Sequence, residues 1–112
     1  MADLEKSALE YIQLNIDRAF ELASRTTNGF GGDWVAFYAA TRCLEIISEA
    51  SRRLSPELIA RHPDIEWQVV RAAGNVYRHE YQFLLEDRIW ETIQYSLPKL
   101  KPVIAIELSK LA

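Results

Sequence analysis

The stretch DLEKSALEYIQLNIDRAFELAS, residues 3–24, decides the fold class. Leu4, Ala8, Tyr11, Ile12, Ile16, Ala19 and Ala23 recur mostly at spacings of three and four, which draws one apolar stripe along a helix. Glu5, Lys6, Glu10, Asp17 and Arg18 fall between them. A helix with one apolar stripe must bury it against another element, and nothing in this chain alternates with the two-residue period of a strand. The expected fold is therefore all-α: an antiparallel up-and-down bundle of four to five helices.

The pattern continues outward from that helix. Thr26-Thr27-Asn28-Gly29-Phe30-Gly31-Gly32 interrupts it, and its glycines favour a loop. Asp33 is a good N-cap for a second helix reaching Leu54, with Trp34, Phe37, Ala40, Thr41, Leu44, Ile47, Ala50 and Leu54 setting the period. Ser55-Pro56-Glu57 then combines a capping serine, a proline at the first helical position and an acid in the first turn, which predicts a short helix to about Arg61. His62-Pro63 ends it, because a residue before proline avoids helical geometry. A further helix is expected from about Glu66 to Tyr81 or beyond. Another is expected from an Asp87 cap to Leu97-Pro98, and a last one from Pro102 through Leu111. Without repeat, linker or low-complexity tract, residues 1–112 read as one domain.

Composition narrows the class. The 112 residues are 49% hydrophobic and 26% charged, ordinary for a domain that buries its own core. No stretch approaches the roughly 20 apolar residues of a membrane span, and the acidic start lacks the apolar core of a secretory signal. Cys43 is the single cysteine, so no intramolecular disulfide is possible and a reducing cytoplasm fits. Two histidines and one cysteine, far apart, make a metal site unexpected, and no cofactor motif is present. A net charge of −3 argues against bulk coating of nucleic acid but leaves room for a local basic cleft, for which Arg52, Arg53, Arg71, Arg78 and Arg88 are candidates.

The chemistry concentrates in Gly74-Asn75-Val76-Tyr77-Arg78-His79-Glu80-Tyr81. At about 100° per residue, Val70, Ala73, Tyr77 and Leu84 share a side expected to face the core. Arg71, Asn75 and His79, spaced four and four, stack along another side, which Arg78 flanks. Tyr81 lies three residues beyond Arg78. An imidazole can move the proton of a ribose 2′-hydroxyl, and a guanidinium can hold a phosphate by two hydrogen bonds. Asn75 adds a neutral donor. Together these are parts for metal-free phosphodiester cleavage. Gly74 costs about 1 kcal/mol inside a helix relative to Ala, and a close approach by another backbone or a ligand would account for it.

With these residues in view, the chain resembles the HepT-like proteins of the HEPN superfamily. The resemblance rests on Leu44 to Ala50, on Leu54-Ser55-Pro56-Glu57-Leu58 and on Ile65-Glu66-Trp67. It continues through Asn75 with His79-Glu80-Tyr81, and then Ile89 to Ile93 and Leu97-Pro98-Lys99-Leu100. It implies a HEPN-like bundle that forms a homodimer through the motif helices, and a ribonuclease toxin with a composite site shared across the dimer axis. It also implies a minimal nucleotidyltransferase antitoxin as partner, able to transfer AMP to the tyrosine of His-x-Tyr, here Tyr81. By residue, the implied site is His79 as general acid/base, Arg78 or Arg71 as phosphate clamp, Asn75 for positioning and Tyr81 as AMP acceptor. One departure stands out: the family's Arg-x(4–6)-His spacing falls on Gly74. That motivates a second reading, a non-catalytic binding subunit of a nucleotidyltransferase. A plain helical dimer without either activity would leave the polar stripe unexplained.

Bland roles are expected elsewhere. Tyr81 is read equally well as an interface aromatic. Trp34, Trp67 and Trp90 are expected to fill the core, and Cys43 to be a small buried hydrophobe. Glu45 and Glu49 suit salt bridges better than catalysis, and His62 suits a helix end. The glycine loop lacks the Gly-Lys-Ser/Thr of a phosphate loop.

Overall fold

The computed structural model describes residues 2–26, 28–79 and 82–111. The described residues are almost entirely helical. Helix α1 spans Ala2–Ser24, α2 Trp34–Ser51, α3 Pro56–Arg61, α4 Trp67–His79, α5 Gln82–Glu91 and α6 Leu97–Lys110. Helix α1 packs on α2 and α6, and α2 packs on α4, so successive long helices lie against one another as an up-and-down bundle.

The stripe of α1 is rotated from the expected one. Ala8, Leu9, Ile12, Ile16, Ala19 and Ala23 are buried, whereas Leu4 and Tyr11 are exposed. Taking Ile12 as the centre, Leu9 sits about 60° around the helix and Tyr11 about 100°, so the leucine rather than the tyrosine meets the core. The same geometry corrects Trp34. It lies about 120° from Ala40, the centre of the α2 stripe, and is 62% exposed, while Trp67 is buried and Trp90 half-buried.

Loop residue Phe30 takes the core position that Trp34 does not. Its ring is 5.8 Å from Phe37 and 5.4 Å from Trp90, the latter edge-on. Positive φ at Gly29 and Gly31, on either side, lets the chain turn tightly enough to drive that ring inward. Asp33 caps α2 as expected, its carboxylate accepting from the Ala36 N–H at 3.0 Å. Ser55 caps α3 by accepting from Leu58 N–H at 3.2 Å, with Pro56 in the first turn.

The C-terminal third departs from the expected break between two helices. Helix α5 begins at Gln82, with Asp87 inside it, and α5 runs without interruption into α6 through a π-helical turn, Thr92–Ser96. The Leu97 N–H reaches back five residues to the Thr92 carbonyl. Pro98 cannot donate to the carbonyl four residues earlier and its ring would crowd that oxygen; the wider turn just before it accommodates both defects. Pro102 likewise sits inside α6 rather than opening it. The reward is an uninterrupted buried stripe, Ile89, Ile93, Leu97, Leu100 and Ile104, ending in Glu107.

Glu107 is a carboxylate only 3% exposed. Arg61 donates to it at 2.7 and 3.2 Å, His62 Nε2 at 2.6 Å and Lys110 at 3.2 Å. The Arg61 bond, supported by His62 and Lys110, outweighs burial and holds the carboxyl at about 2. His62 closes α3 as expected through its backbone N–H, which donates to the Ile59 carbonyl, while its ring ties that helix end to Glu107 of α6.

Candidate functional site

Helix α4 carries the candidate residues because its other faces are already committed. Trp67 and Tyr77 are buried, with Val70 and Ala73 packed partly against the core, as the periodicity requires. Burial pushes the Tyr77 phenol above its ordinary value, against a smaller opposing pull from the Thr92 hydroxyl. Leu84, assigned to the same side, has its side chain outside the described residues.

Gly74 sits at a tight contact between α2 and α4. The Ser48 hydroxyl, itself buried, accepts from the Gly74 N–H at 3.1 Å and donates to the Arg71 carbonyl at 3.0 Å. A Cβ at Gly74 would stand 3.3 Å from Ser48 Oγ. The neighbour that accounts for this glycine is therefore a side chain of the chain's own second helix.

The same contact engages Arg71. Its Nε donates to the Ser51 carbonyl at 3.3 Å and its Nη2 to the Leu54 carbonyl at 3.2 Å. Arg52 answers by donating to the Arg71 carbonyl at 3.0 and 2.8 Å. The two arginines tie the C-terminal end of α2 to the middle of α4. Among the described residues, Arg71 is held in structure.

Asn75 and Arg78 are exposed on the flank of α4 that Arg71 occupies. His79 is the last residue of α4, and its side chain lies outside the described residues, as do Glu80 and Tyr81 altogether. The structure thus brings Arg71, Asn75 and Arg78 onto one flank, beside the helix end that carries His79, and it gives Arg71 a different task from the other two.

Two neighbouring features bear on the site. Glu45 pairs with Arg42 at 3.5 Å, the salt-bridge role expected for it. A mainly apolar cleft of about 160 Å³ opens on the opposite flank of the α2–α4 pair, between Ile47, Val70, Tyr77, Thr92 and Leu100, and no candidate residue lines it. Cys43 is buried, and burial pushes its thiol up. Among the described residues no three of His, Cys, Asp and Glu gather as a metal-ligand set, and no helix is long and apolar enough to cross a membrane.

An amide and a guanidinium are displayed at the end of α4, beside a histidine in sequence, and groups of this kind can hold an anion. The family is established by sequence: residues 12–106 match the model of the family described as "Ribonuclease HepT-like", and the chain belongs to that family. Similar proteins carry corresponding names. "Probable ribonuclease HepT" of Thermococcus cleftensis is 30% identical over 104 residues, covering 88% of this chain and 93% of its own. "Putative RNase MJ1380" of Methanocaldococcus jannaschii is 27% identical over 104 residues, covering 93% and 89%. "Putative RNase TTE0752" of Caldanaerobacter subterraneus is 33% identical over 81 residues, 72% of each chain. No solved structure matches the chain.

Proposed function

We propose that this chain is a metal-independent endoribonuclease, the toxin of a cytoplasmic toxin–antitoxin pair, acting as a homodimer whose motif helices share the site. The observation that carries the reading is the membership in the ribonuclease HepT-like family together with Asn75 and Arg78 exposed at the end of α4. In this reading His79 removes the proton of a ribose 2′-hydroxyl. The 2′-oxygen forms a bond to phosphorus, the bond to the 5′-oxygen breaks, and the departing oxygen takes up a proton. Arg78 neutralises the charge that develops on the phosphoryl oxygens, and Asn75 positions the substrate.

Arg78 is the better clamp of the two arginines, because moving Arg71 to a phosphate would break its bonds to the Ser51 and Leu54 carbonyls. The family's spacing falls on Gly74, where a Cβ would stand 3.3 Å from Ser48 Oγ, so a side chain there requires Ser48 to give way. Regulation follows the same chemistry. A minimal nucleotidyltransferase antitoxin transfers AMP from ATP to the Tyr81 phenolic oxygen, with pyrophosphate leaving and the phenolic proton lost to solvent; the added phosphate lies close in sequence to Arg78 and His79, where it competes with RNA.

The test is cleavage of RNA in EDTA by the purified protein and by His79→Ala. The expected products carry 2′,3′-cyclic phosphate and 5′-hydroxyl ends, and the variant makes none. Equal cleavage by both proteins removes His79 from the mechanism, and no cleavage by either favours the reading as a binding subunit. Intact mass after co-expression with the neighbouring nucleotidyltransferase tests Tyr81.

A further inference from the structure

Helix α2 exposes two large aromatic side chains, of which Trp34 lies off the core and Tyr38 touches it through an edge-on contact with Phe37, ring centroids 5.8 Å apart. Trp34 and Tyr38 are 62% and 56% exposed, one helical turn apart, with ring centroids 5.5 Å apart and planes inclined at 73°. Burying such rings is favourable, so leaving both largely in water has a cost. Their edge-on contact leaves ring faces that the pair itself does not cover.

Their place relative to the site follows from the helix contacts. Ser48 meets Gly74 while Arg52 and Ser51 meet Arg71, so α2 and α4 run in opposite directions. Counted from Ser48 at about 100° per residue, Trp34 and Arg52 both lie roughly 40° to one side, and Tyr38 roughly 80° to that same side. Counted from Gly74, Arg78, Arg71 and Asn75 lie roughly 40°, 60° and 100° around α4. The Arg52–Arg71 bonds show that these are the same flank of the helix pair. Along the axes, Tyr38 stands roughly 15 Å from the Ser48–Gly74 contact and the His79 backbone roughly 7.5 Å, toward the same end. The aromatic pair therefore begins just past the end of α4, in line with Asn75 and Arg78.

Charge on this flank favours a polyanion. The guanidiniums of Arg42, Arg52 and Arg78 line it against the carboxylates of Glu45 and Glu49, and Glu45 is itself paired with Arg42. Open aromatic faces in line with guanidiniums are how proteins hold unpaired nucleotides: the cations follow the phosphates and the rings stack on bases. We propose that Trp34 and Tyr38 form a stacking platform for unpaired bases of an RNA strand whose phosphate lies at the end of α4. This rests on the ribonuclease reading and deepens it: the substrate is single-stranded along this flank, because paired bases offer no face to stack on.

The test uses short fluorescein-labelled 2′-O-methyl oligonucleotides, which lack the reacting hydroxyl, as single strands and as a duplex of the same sequence. Anisotropy gives affinities for the wild type, Trp34→Ala, Tyr38→Ala, the double variant and Trp34→Phe. Single strands bind tighter than the duplex. Each alanine weakens single-strand binding roughly 5- to 100-fold, Trp34→Phe largely keeps it, and melting temperatures stay within a degree or two. Intrinsic fluorescence falls on RNA addition in the wild type but not in Trp34→Phe, since Trp67 is buried and Trp90 half-buried.

Unchanged affinity in the double variant overturns the platform while leaving the ribonuclease reading intact; a change of oligomeric state in that variant would then assign the rings to a protein interface. Weakened affinity without quenching in the wild type overturns it as well, because the rings would then act from a distance. Wild-type protein that neither binds nor cuts any RNA overturns both readings.

Discussion

Glu107→Gln isolates the contribution of one buried charge. In the native protein the carboxylate of Glu107 is 3% exposed and receives four donors from Arg61, His62 and Lys110. These donors hold its titration at about 2, against 4.5 for an ordinary glutamate. That difference is worth about 3 kcal/mol in favour of the ionised native state. The folded value is depressed, so the contribution is fully present above pH 4.5 and is lost as pH falls toward 2. Glutamine keeps the shape and an acceptor oxygen but not the charge, so at pH 7 the variant should be about 2–3 kcal/mol less stable, with Arg61 and Lys110 partly rehydrating. For a domain of this size that corresponds to roughly 10–20 °C in Tm. Urea unfolding followed by circular dichroism, from pH 7 down to pH 2.5, measures it. The gap between wild type and variant should narrow steadily below pH 4.5. A gap that stays constant to pH 2.5, or no gap at pH 7, would refute the assignment of this stability to the charge.

Four further outcomes follow. Gly74→Ala alone destabilises the fold, because its Cβ presses on Ser48 Oγ at 3.3 Å, whereas in a Ser48→Ala background the same change is neutral or stabilising by up to about 1 kcal/mol; a double-mutant cycle by urea melts shows the coupling, and additivity would deny the contact. Arg78→Ala lowers RNA cleavage by roughly two orders of magnitude with an unchanged Tm, while Arg71→Ala lowers Tm, since only Arg71 is bonded to α2 carbonyls; paired kinetics and calorimetry separate them. Phe30→Ala costs about 3–5 kcal/mol despite its loop position, as urea denaturation should report, because the ring packs between Phe37 and Trp90. Cys43 reacts slowly with a thiol reagent at neutral pH and at full rate in denaturant, in keeping with a buried thiol pushed up by desolvation.

What sequence alone settled was everything carried by local chemistry. Helix existence, the Asp33 and Ser55 caps, the commitment of Tyr77 to the core and the polar side of α4 all follow from residues within a turn or two of one another. So did the family, through short segments at characteristic spacing, which the match over residues 12–106 bears out. The choice between Leu9 and Tyr11, or between Phe30 and Trp34, is different: each pair is about equally apolar, and only the angle at which a neighbouring helix arrives decides which one is covered. Pro98 read as a helix break until the π turn absorbed it, and Pro102 as a helix start although it lies inside α6; a stripe buried against α1 can offset a local defect that propensity alone cannot. The tertiary structure likewise divided two arginines that periodicity could not tell apart. Arg71 bonds to the Ser51 and Leu54 carbonyls at and just past the end of α2, while Arg78, two turns on, is exposed at the end of α4. A hydrogen bond between residues distant in sequence depends on where the chain returns, and composition and spacing do not contain that distance.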